Sequence, residues 1–363
     1  MIVPGFILAT GVLAFIFVAL LTEAMRRLAI RHRLLDQPRE DGRHRHATPY
    51  LGGVAIAGGT ICAVAIAVPA PDTQLLVIAG TAAIVCALGL TDDLRPLNPA
   101  FRVIVESLCA SALVAVGVHA NLLAGAGLVG RGVDDAGTVA WIVVLTNSFN
   151  LLDNMDGAAA AIALATSPFL ALLALATGRP GLAALLIAVA AGSAGFLVHN
   201  WPPARIFMGD SGSLFLGFVL TASAVLTCTG TSGATPAPVT AGACALLLLT
   251  FVAAADTGTV LVSRWRAGRR WTQGGADHLA HRLRVAGLST PHAALALAAT
   301  AAVTATLGVI VIGGIAPAGA VLAATVAVGV VLVALAQRVK VYDPDPQPAT
   351  AAPDPVTSGL ARQ

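Results

Sequence analysis

The chain has 363 residues, of which 57% are hydrophobic and 11% are charged. About a quarter of the residues of a soluble globular protein are charged, so this composition excludes an ordinary soluble domain and indicates a polytopic membrane protein. The net charge of +3 decides little by itself, because orientation in a membrane depends on where the basic residues lie along the chain.

Apolar segments of the length that crosses a bilayer as a helix recur along the chain, since about 20 residues span the roughly 30 Å hydrocarbon core. They lie near residues 2–22, 51–70, 74–91, 101–119, 138–152, 157–177, 181–199, 211–228, 238–262, 292–312 and 316–336. We therefore predict an all-α, polytopic integral membrane protein with about 10–11 transmembrane helices. Residues 1–342 form one catalytic domain in this prediction, and residues 343–363, which are rich in Pro, Ala and Thr, form a disordered tail.

The positions of the basic residues predict an orientation. If the N-terminus lies outside, only Arg131 and Arg179 of the 21 Lys and Arg residues fall on the outer side, as the positive-inside rule requires. Asp134 and Asp135, whose Asp-Asp-Ala-Gly context is typical of a turn, also fall outside, and we assign them no function. The same alternation of loops brings three acidic motifs to the cytoplasmic face.

Five carboxylates belong to these motifs: Asp92, Asp93, Asp153, Asp156 and Asp210. Each adjoins a long apolar segment, where an acid costs roughly 2.5–3.5 kcal/mol at a helix centre. Five such residues at one membrane face indicate a common site. A divalent cation together with a phosphate-bearing substrate would explain them, because phosphoryl transfer needs chiefly positioning and charge neutralisation.

Each motif taken alone also has a structural explanation. Asp92 and Asp93 could form a solvated turn before Pro96, and Asp210 could be the N-cap of a helix that begins at Ser211. The Asn and Asp side chains of NSFNLLDNMDG could join helices inside the membrane through hydrogen bonds. Against this, two acids in that segment favour a site, and oxygen-only ligands suit Mg²⁺ or Mn²⁺.

A basic loop over residues 263–291 supplies positive charge, and within it the segment DHLAHRL contains His278, His281 and Arg282. Spacing of i and i+3 would place the two histidines on one helical face. The arginines of this loop could equally anchor it to anionic lipid headgroups, but that explanation gives no reason for the histidines.

As a set, these motifs resemble the polyprenyl-phosphate N-acetylhexosamine-1-phosphate transferase family, which includes bacterial undecaprenyl-phosphate GlcNAc-1-phosphate transferases and the muramoyl-pentapeptide transferase. The resemblance covers about residues 36–287. It rests on the segments LLDQPREDGRHRHATPYLGG, GLTDDLRPLNPAFR, NSFNLLDNMDG, HNWPPARIFMGDSGSLFLG, FVAAADTGTVLVSR and QGGADHLAHRL. The histidine segment is more similar to the GlcNAc-type branch.

The resemblance implies a plasma-membrane enzyme whose active site faces the cytoplasm and whose partners are a UDP-N-acetylhexosamine and a polyprenyl phosphate, undecaprenyl or decaprenyl, and not nucleic acid. It would transfer a sugar-1-phosphate, most simply GlcNAc-1-phosphate, to the lipid and release UMP, with Mg²⁺ or alternatively Mn²⁺ as cofactor. This would be the first membrane step of a cell-envelope glycan, such as a teichoic acid, lipopolysaccharide or arabinogalactan. The sugar, the polyprenol, the pathway and a homodimer are left open.

The family's residue roles carry over by position. They make Asp92, Asp93 and Asp156 catalytic, Asp210, Asn150 and Asp153 metal-binding, and Asn147, Asn200, Arg102, His278, His281, Arg282 and His46 substrate-binding.

Four positions depart from the pattern of many relatives. Ala280 replaces a histidine, Asn154 a glycine and His44 a lysine, while Arg102 stands where a lysine is frequent. The first three bear on substrate specificity. Arg102 keeps its charge but offers a planar fork instead of a point charge.

A different class of function also fits intramembrane acids, namely a secondary transporter or a proton or cation pathway. Transporters often carry inverted repeats and place their acids near the middle of the membrane. We find no repeat in this sequence, and the acids cluster at one face, so the transferase is favoured.

Overall fold

The computed structural model describes residues 2–36, 47–123, 127–229, 238–270, 275–339 and 341. This part of the chain is almost entirely helical, with one pair of very short antiparallel strands, β1 (Leu35–Asp36) and β2 (Thr48–Pro49). The first seven helices are α1 (Ile2–Arg31), α2 (Gly52–Ala67), α3 (Thr73–Leu94), α4 (Pro99–Ala115), α5 (Gly127–Leu152), α6 (Ala158–Ala176) and α7 (Pro180–Asn200). The remaining helices are α8 (Gly209–Thr229), α9 (Val239–Leu249), α10 (Phe251–Arg266), α11 (Leu279–Val285), α12 (Thr290–Ile312) and α13 (Ala318–Ala336).

Seven of the described helices are long and apolar enough to cross a membrane: α1, α3, α6, α7, α8, α12 and α13. The pair α9 and α10 passes the same test together, but its two parts are bent by 70°. The prediction of an all-α polytopic membrane protein is confirmed. Every predicted span corresponds to a helix or, in one case, to this bent pair.

Several predicted boundaries were wrong. The span near 51–70 is a helix of only 16 residues, and the span near 238–262 is broken at Thr250. Helix α1 continues to Arg31 rather than ending near residue 22, because Glu23 accepts hydrogen bonds from Arg26 (2.8 Å) and Arg27 (2.7 Å) one turn further on. Hydropathy alone does not detect such a polar continuation of a helix.

The turn predicted at Asp134 and Asp135 was also wrong, because both residues lie inside α5, which begins at Gly127. The buried carboxylate of Asp134 accepts backbone N–H bonds from Asn121 (2.8 Å) and Leu122 (2.7 Å). It thereby ties the connection between α4 and α5 to the side of the helix, and this contact explains why an acid is tolerated there.

Helix α8 is the centre of the molecule. It packs against α2, α3, α5, α6 and α9. The apolar stretch of α8 that is long enough to cross a membrane is entirely buried inside the protein. Phe215 and Phe218 are among its fully buried side chains. The N-terminus of α8 is therefore surrounded by other helices, and it is there that the acidic motifs meet.

Glycines allow two helices to approach the start of α8 closely. A Cβ atom at Gly89 of α3 would lie 2.5 Å from the carbonyl carbon of Asp210, and one at Gly53 of α2 would overlap the backbone of Gly212. Only glycine fits at such contacts. The main chain after β2 also bonds to the segment before α8, since Gly52 N–H donates to Phe207 (3.0 Å) and Gly53 N–H to Met208 (2.8 Å).

Candidate active site

The adjacent acids Asp92 and Asp93 lie at the C-terminal end of α3, where they point to different partners. Asp93 accepts hydrogen bonds from the backbone N–H groups of Asp210 (2.8 Å) and Ser211 (3.1 Å). It therefore satisfies free donors at the start of α8, the role that an N-cap residue of the same helix usually has. Asp210 was considered as that cap, but it lies in the first turn of α8 and its N–H is the group being capped.

Arg102, from the first turns of α4, joins two acidic motifs. Its Nη1 donates to Asp210 Oδ2 at 2.8 Å and also to Asp92. Asp92 in turn accepts the backbone N–H of Leu97 at 2.6 Å, which holds the turn between α3 and α4. One guanidinium thus neutralises part of the charge of two carboxylates that the sequence separates by more than a hundred residues.

Asn150, near the end of α5, holds the other oxygen of Asp210. Its Nδ2 donates to Asp210 Oδ1 and to Ser213 Oγ, each at 2.9 Å. Both amide protons are used in these bonds, so Oδ1 of Asn150 remains as an acceptor or ligand.

Asp153 lies half-buried in the turn between α5 and α6, outside the two helices. Burial, followed by the charges of Asp210, Asp93 and Asp156, raises the pKa of Asp153 to about 8. Carboxylates that raise one another's pKa in this way share one region of space, and a cation placed among them would reverse the effect.

Asp156 and Asn200 connect this turn to the segment before α8. Asp156 accepts the N–H of Ala204 at 2.9 Å. Asn200 accepts the N–H of Gly157 at 2.9 Å and donates to the carbonyl of Ile206 at 2.9 Å. Gly157 has a φ of +74°, a conformation that favours glycine and lets α6 begin directly after the acids.

Asn147 lies one turn before Asn150 on α5 and donates to the carboxylate of Glu106 from α4. Glu106 is completely buried and is not among the site residues predicted from the sequence. The signal was available, because Glu106 is the only acid of the predicted span near 101–119, and the cost of an acid in an apolar segment applies to it equally.

The histidine segment forms a second group, built on α10 and α11. His278 Nδ1 lies 2.8 Å from Asp256 Oδ2, and Asp256 Oδ1 accepts the N–H of Leu279 at 2.6 Å. His278 is the residue before α11 and His281 lies within the helix; their ring centroids are 6.2 Å apart. Asp256 is a second buried acid that belongs to one of the family-like motifs but is not among the predicted site residues.

Arg282 is buried and bonded to the chain itself. It donates to the carbonyl of Asp277 at 3.0 Å, to Ser263 Oγ at 2.8 Å and to the carbonyl of Val339 at 2.7 Å. Asp277 pairs with Arg264 at 2.9 Å in an ion pair from which water is almost excluded. These bonds fix the histidine segment against α10 and the end of α13.

The structure thus gathers the five predicted acids, Arg102 and the two asparagines of α5 around the start of α8. The histidine group is held separately by its own bonds, although α10 packs against α5, which carries both asparagines. His46 and the tail over 343–363 lie outside the described residues, so their predicted roles stay predictions.

The residues around Asp210 fit a magnesium ion in the chemistry of their donors. Asp210, Asp153 and Oδ1 of Asn150 offer only oxygen, and Mg²⁺ usually takes one or two carboxylates together with waters and substrate phosphates. In the described part of the chain no three His, Cys, Asp or Glu side chains form a complete metal-binding cluster. A site that is finished by substrate phosphates does not need one.

Acids gathered at the start of a buried helix, in a chain with seven helices apolar enough to cross a membrane, define the class as an integral membrane protein with a polar site among its helices. Comparison with known proteins specifies the class further. The family model described as glycosyl transferase family 4 matches residues 75–228, which contain the acids, Arg102 and both asparagines.

Three relatives illustrate the similarity. A Streptomyces coelicolor protein named as a glycosyltransferase is 36% identical over 83% of this chain and 69% of its own length. The decaprenyl-phosphate N-acetylglucosaminephosphotransferase of Mycolicibacterium smegmatis is 32% identical over 78% of this chain and 77% of its own length. The phospho-N-acetylmuramoyl-pentapeptide-transferase of Rubrobacter xylanophilus is 34% identical over 61% of this chain and 74% of its own length.

The chain belongs to the polyprenyl-phosphate N-acetylhexosamine-1-phosphate transferase family. The family predicted from the sequence motifs is confirmed. The alternative of a secondary transporter has no support among these relatives.

Proposed function

We propose that this protein transfers GlcNAc-1-phosphate from UDP-GlcNAc to a polyprenyl phosphate in a Mg²⁺-dependent reaction at the cytoplasmic face of the plasma membrane. An oxygen of the lipid phosphate forms a bond to the β-phosphorus of the donor. The bond between that phosphorus and the bridging oxygen breaks, and UMP leaves with the oxygen. The product is a lipid-linked diphosphate sugar, which makes the reaction the first membrane step of a cell-envelope glycan.

The observation that carries the proposal is the convergence of Asp93, Arg102, Asn150 and Asp210 at the start of α8. Family membership sets the class of reaction, and the names of the relatives support polyprenyl phosphate as acceptor and an N-acetylhexosamine phosphate as the group transferred. A pentapeptide-bearing donor is the alternative among relatives. The histidine segment, with its Gly-Gly-x-Asp-His pattern, favours the GlcNAc-type donor.

A Mg²⁺ ion, when bound, would supply charge neutralisation and orientation for the transferred phosphate. Asp210, Asp153 and Asn150 Oδ1 are the residues that would hold it. Asp93 holds the start of α8 through the backbone N–H groups of Asp210 and Ser211, so it would orient the metal-binding residue. The family resemblance also implies that Asp93 faces the lipid phosphate.

Arg102 and Asp92 act on the acceptor side of the proposed site. Arg102 has five N–H donors, and the bonds to Asp92 and Asp210 use only its Nη1. The other donors can bind a phosphate that arrives in the membrane. Asp92 holds the guanidinium in this position, and Asp156 and Asn200 hold the turn that carries Asp153.

The test uses purified protein with UDP-GlcNAc, undecaprenyl phosphate and Mg²⁺, with mass detection of the lipid product. UMP should form only when lipid and metal are both present. Asp210→Asn should lower turnover by at least about 100-fold, the order of magnitude for losing a group that stabilises transition-state charge. Leu108→Ala, which changes an exposed side chain of α4, is the matched control and should keep wild-type turnover.

A donor screen with UDP-GlcNAc, UDP-GalNAc and UDP-MurNAc-pentapeptide identifies the sugar. Formation of lipid product from the pentapeptide donor alone would contradict the proposed specificity. Near-normal turnover of Asp210→Asn would contradict the proposed role of that residue in the reaction.

A further inference from the structure

The pair formed by Glu106 and Asn147 lies one helical turn beyond the groups that hold Asp210. Arg102 and Glu106 are four residues apart on α4, and Asn147 and Asn150 are three apart on α5, so each helix presents two polar residues along one side. Arg102, near the start of α4, and Asn150, near the end of α5, both donate to Asp210. The turn farther along each helix contains the Glu106–Asn147 bond.

The orientation of the Asn147 amide is fixed by its partners. The same atom, Nδ2, bonds to Glu106 and to the backbone carbonyl of Val143 (2.9 Å). A backbone carbonyl can only accept a hydrogen bond, so this atom is the nitrogen and not the oxygen. Its two protons are both used, and Asn147 is left with Oδ1 as its remaining polar atom.

Glu106 has no other bond among the described residues. Its side chain is completely buried, and Oε1 has no hydrogen-bond partner in the part of the chain that the structure describes. A buried carboxylate with one unpartnered oxygen is costly. Burying this pair in the apolar interior lowers the stability of the protein. Such a cost is expected of residues with a function and not of residues that only join two helices.

We infer that Glu106 is a positioning residue: it fixes Asn147, which the family resemblance already makes a substrate-binding residue, as a pure hydrogen-bond acceptor for a hydroxyl or amide N–H of the sugar nucleotide. The inference rests on the proposed function, because it assigns a contact to the donor substrate of that reaction. A fully ionised polyprenyl phosphate carries no hydrogen-bond donor, whereas a UDP-N-acetylhexosamine carries hydroxyls and amide N–H groups. An acceptor that cannot rotate therefore discriminates between the two substrates.

The test compares three variants by steady-state kinetics, with each substrate and Mg²⁺ varied in turn. Asn147→Ala and Glu106→Leu should raise KM for UDP-GlcNAc about tenfold, the effect of one lost hydrogen bond. Neither should change KM for undecaprenyl phosphate or the Mg²⁺ concentration for half-maximal activity by more than about twofold. Glu106→Gln keeps an acceptor for Asn147 Nδ2 and should stay within about threefold of wild type.

Several results would overturn the inference. One is an unchanged KM for UDP-GlcNAc in Asn147→Ala; another is a change in the Mg²⁺ requirement instead, which would make Oδ1 a metal ligand. A lowered melting temperature in Glu106→Leu with unchanged KM would show a purely structural pair. If Glu106→Leu does not fold, Asn147→Ala and Glu106→Gln still decide the matter through their opposite expected effects. Failure of the proposed function itself looks different, because the wild-type protein would then form no UMP.

Discussion

At the residue scale, the cost of a carboxylate in an apolar environment was the basis for predicting the candidate site. It selected five acids, and the structure brings all of them to the region around the start of α8. Glu106 and Asp256, both completely buried, carry the same cost in their apolar segments and could have been predicted on the same ground. These two were missed because they lie singly inside a span instead of in a group at its end.

The partner of each acid could not be predicted. Asp93 caps α8 at Asp210, which lies 117 positions further along the chain. A local sequence pattern cannot predict a cap that another helix supplies. The sequence offered a cap at Asp210 because an acid commonly stands at that position. In the structure, α3 approaches the start of α8 closely at Gly89, and this approach lets the carboxylate of Asp93 cap α8 instead.

The raised pKa of Asp153 predicts a pH dependence of metal activation. Its pKa of about 8, against an ordinary value of 3.8, means that the group is mostly protonated below pH 8 in the absence of a cation. Mg²⁺ binds the deprotonated form, so protons and metal compete. The Mg²⁺ concentration for half-maximal activity should therefore fall as the pH rises from 6 to 8 and level off above.

The measurement is a Mg²⁺ titration of turnover at several pH values, with wild type and Asp153→Asn in parallel. The variant has no titrating group at this position and should lose most of the pH dependence. A metal requirement that does not vary with pH in the wild type would argue against Asp153 as a ligand.

At the element scale, hydropathy predicted which segments are helices but not where they end. Helix α1 extends through a polar segment because Glu23 pairs with arginines one turn away, and α5 begins earlier than expected because Asp134 ties the preceding loop to it. The break between α9 and α10 at Thr250 could not be predicted from the sequence, because no Pro or Gly lies next to it. In each case tertiary contacts, and not the local apolar pattern, set the boundary.

The contact between α3 and α8 can be tested with a pair of glycines on one helix. Gly89→Ala places a methyl group against the backbone of Asp210, whereas Gly80→Ala on the same helix meets nothing within 4 Å. Overpacking of this kind costs typically about 1–3 kcal/mol. Gly89→Ala should therefore lower the melting temperature in detergent and reduce turnover, since the displaced backbone carries the proposed metal ligand.

Gly80→Ala is the matched control, because replacing a helical glycine by alanine is neutral or stabilising by up to about 1 kcal/mol. Equal melting temperatures and equal turnover of the two variants would mean that α3 does not press on the start of α8.

At the scale of the whole molecule, the all-α membrane architecture and the family were both predictable from the sequence. Eleven apolar segments were predicted, and seven helices meet the criteria of length and hydropathy on their own. The difference arises from α2 and α4, which are short, from α5, whose polar and charged residues lower its hydropathy, and from the bent pair. The orientation, with the acids at the cytoplasmic face, stays a prediction from the basic residues.

That orientation predicts the outcome of cysteine labelling in intact cells. In a Cys62→Ser background, which removes the exposed thiol and leaves four buried ones, the variant Arg131→Cys should react with a membrane-impermeant maleimide. The variant Arg266→Cys should react only after the membrane is permeabilised. Both positions are exposed, so access and not burial decides the result. The reverse pattern would place the proposed active site outside the cell.

The bond from Asp93 to the start of α8 also has a consequence for how the protein is made. Helix α3 leaves the ribosome long before residue 210 is translated, so its terminal carboxylate enters the membrane without the donors that later satisfy it. Four further helices, α4 to α7, are synthesised before α8 provides those donors. The site therefore comes into being late in biosynthesis, when α8 inserts among helices that are already present, and a nascent chain that stops before α8 has no route to activity.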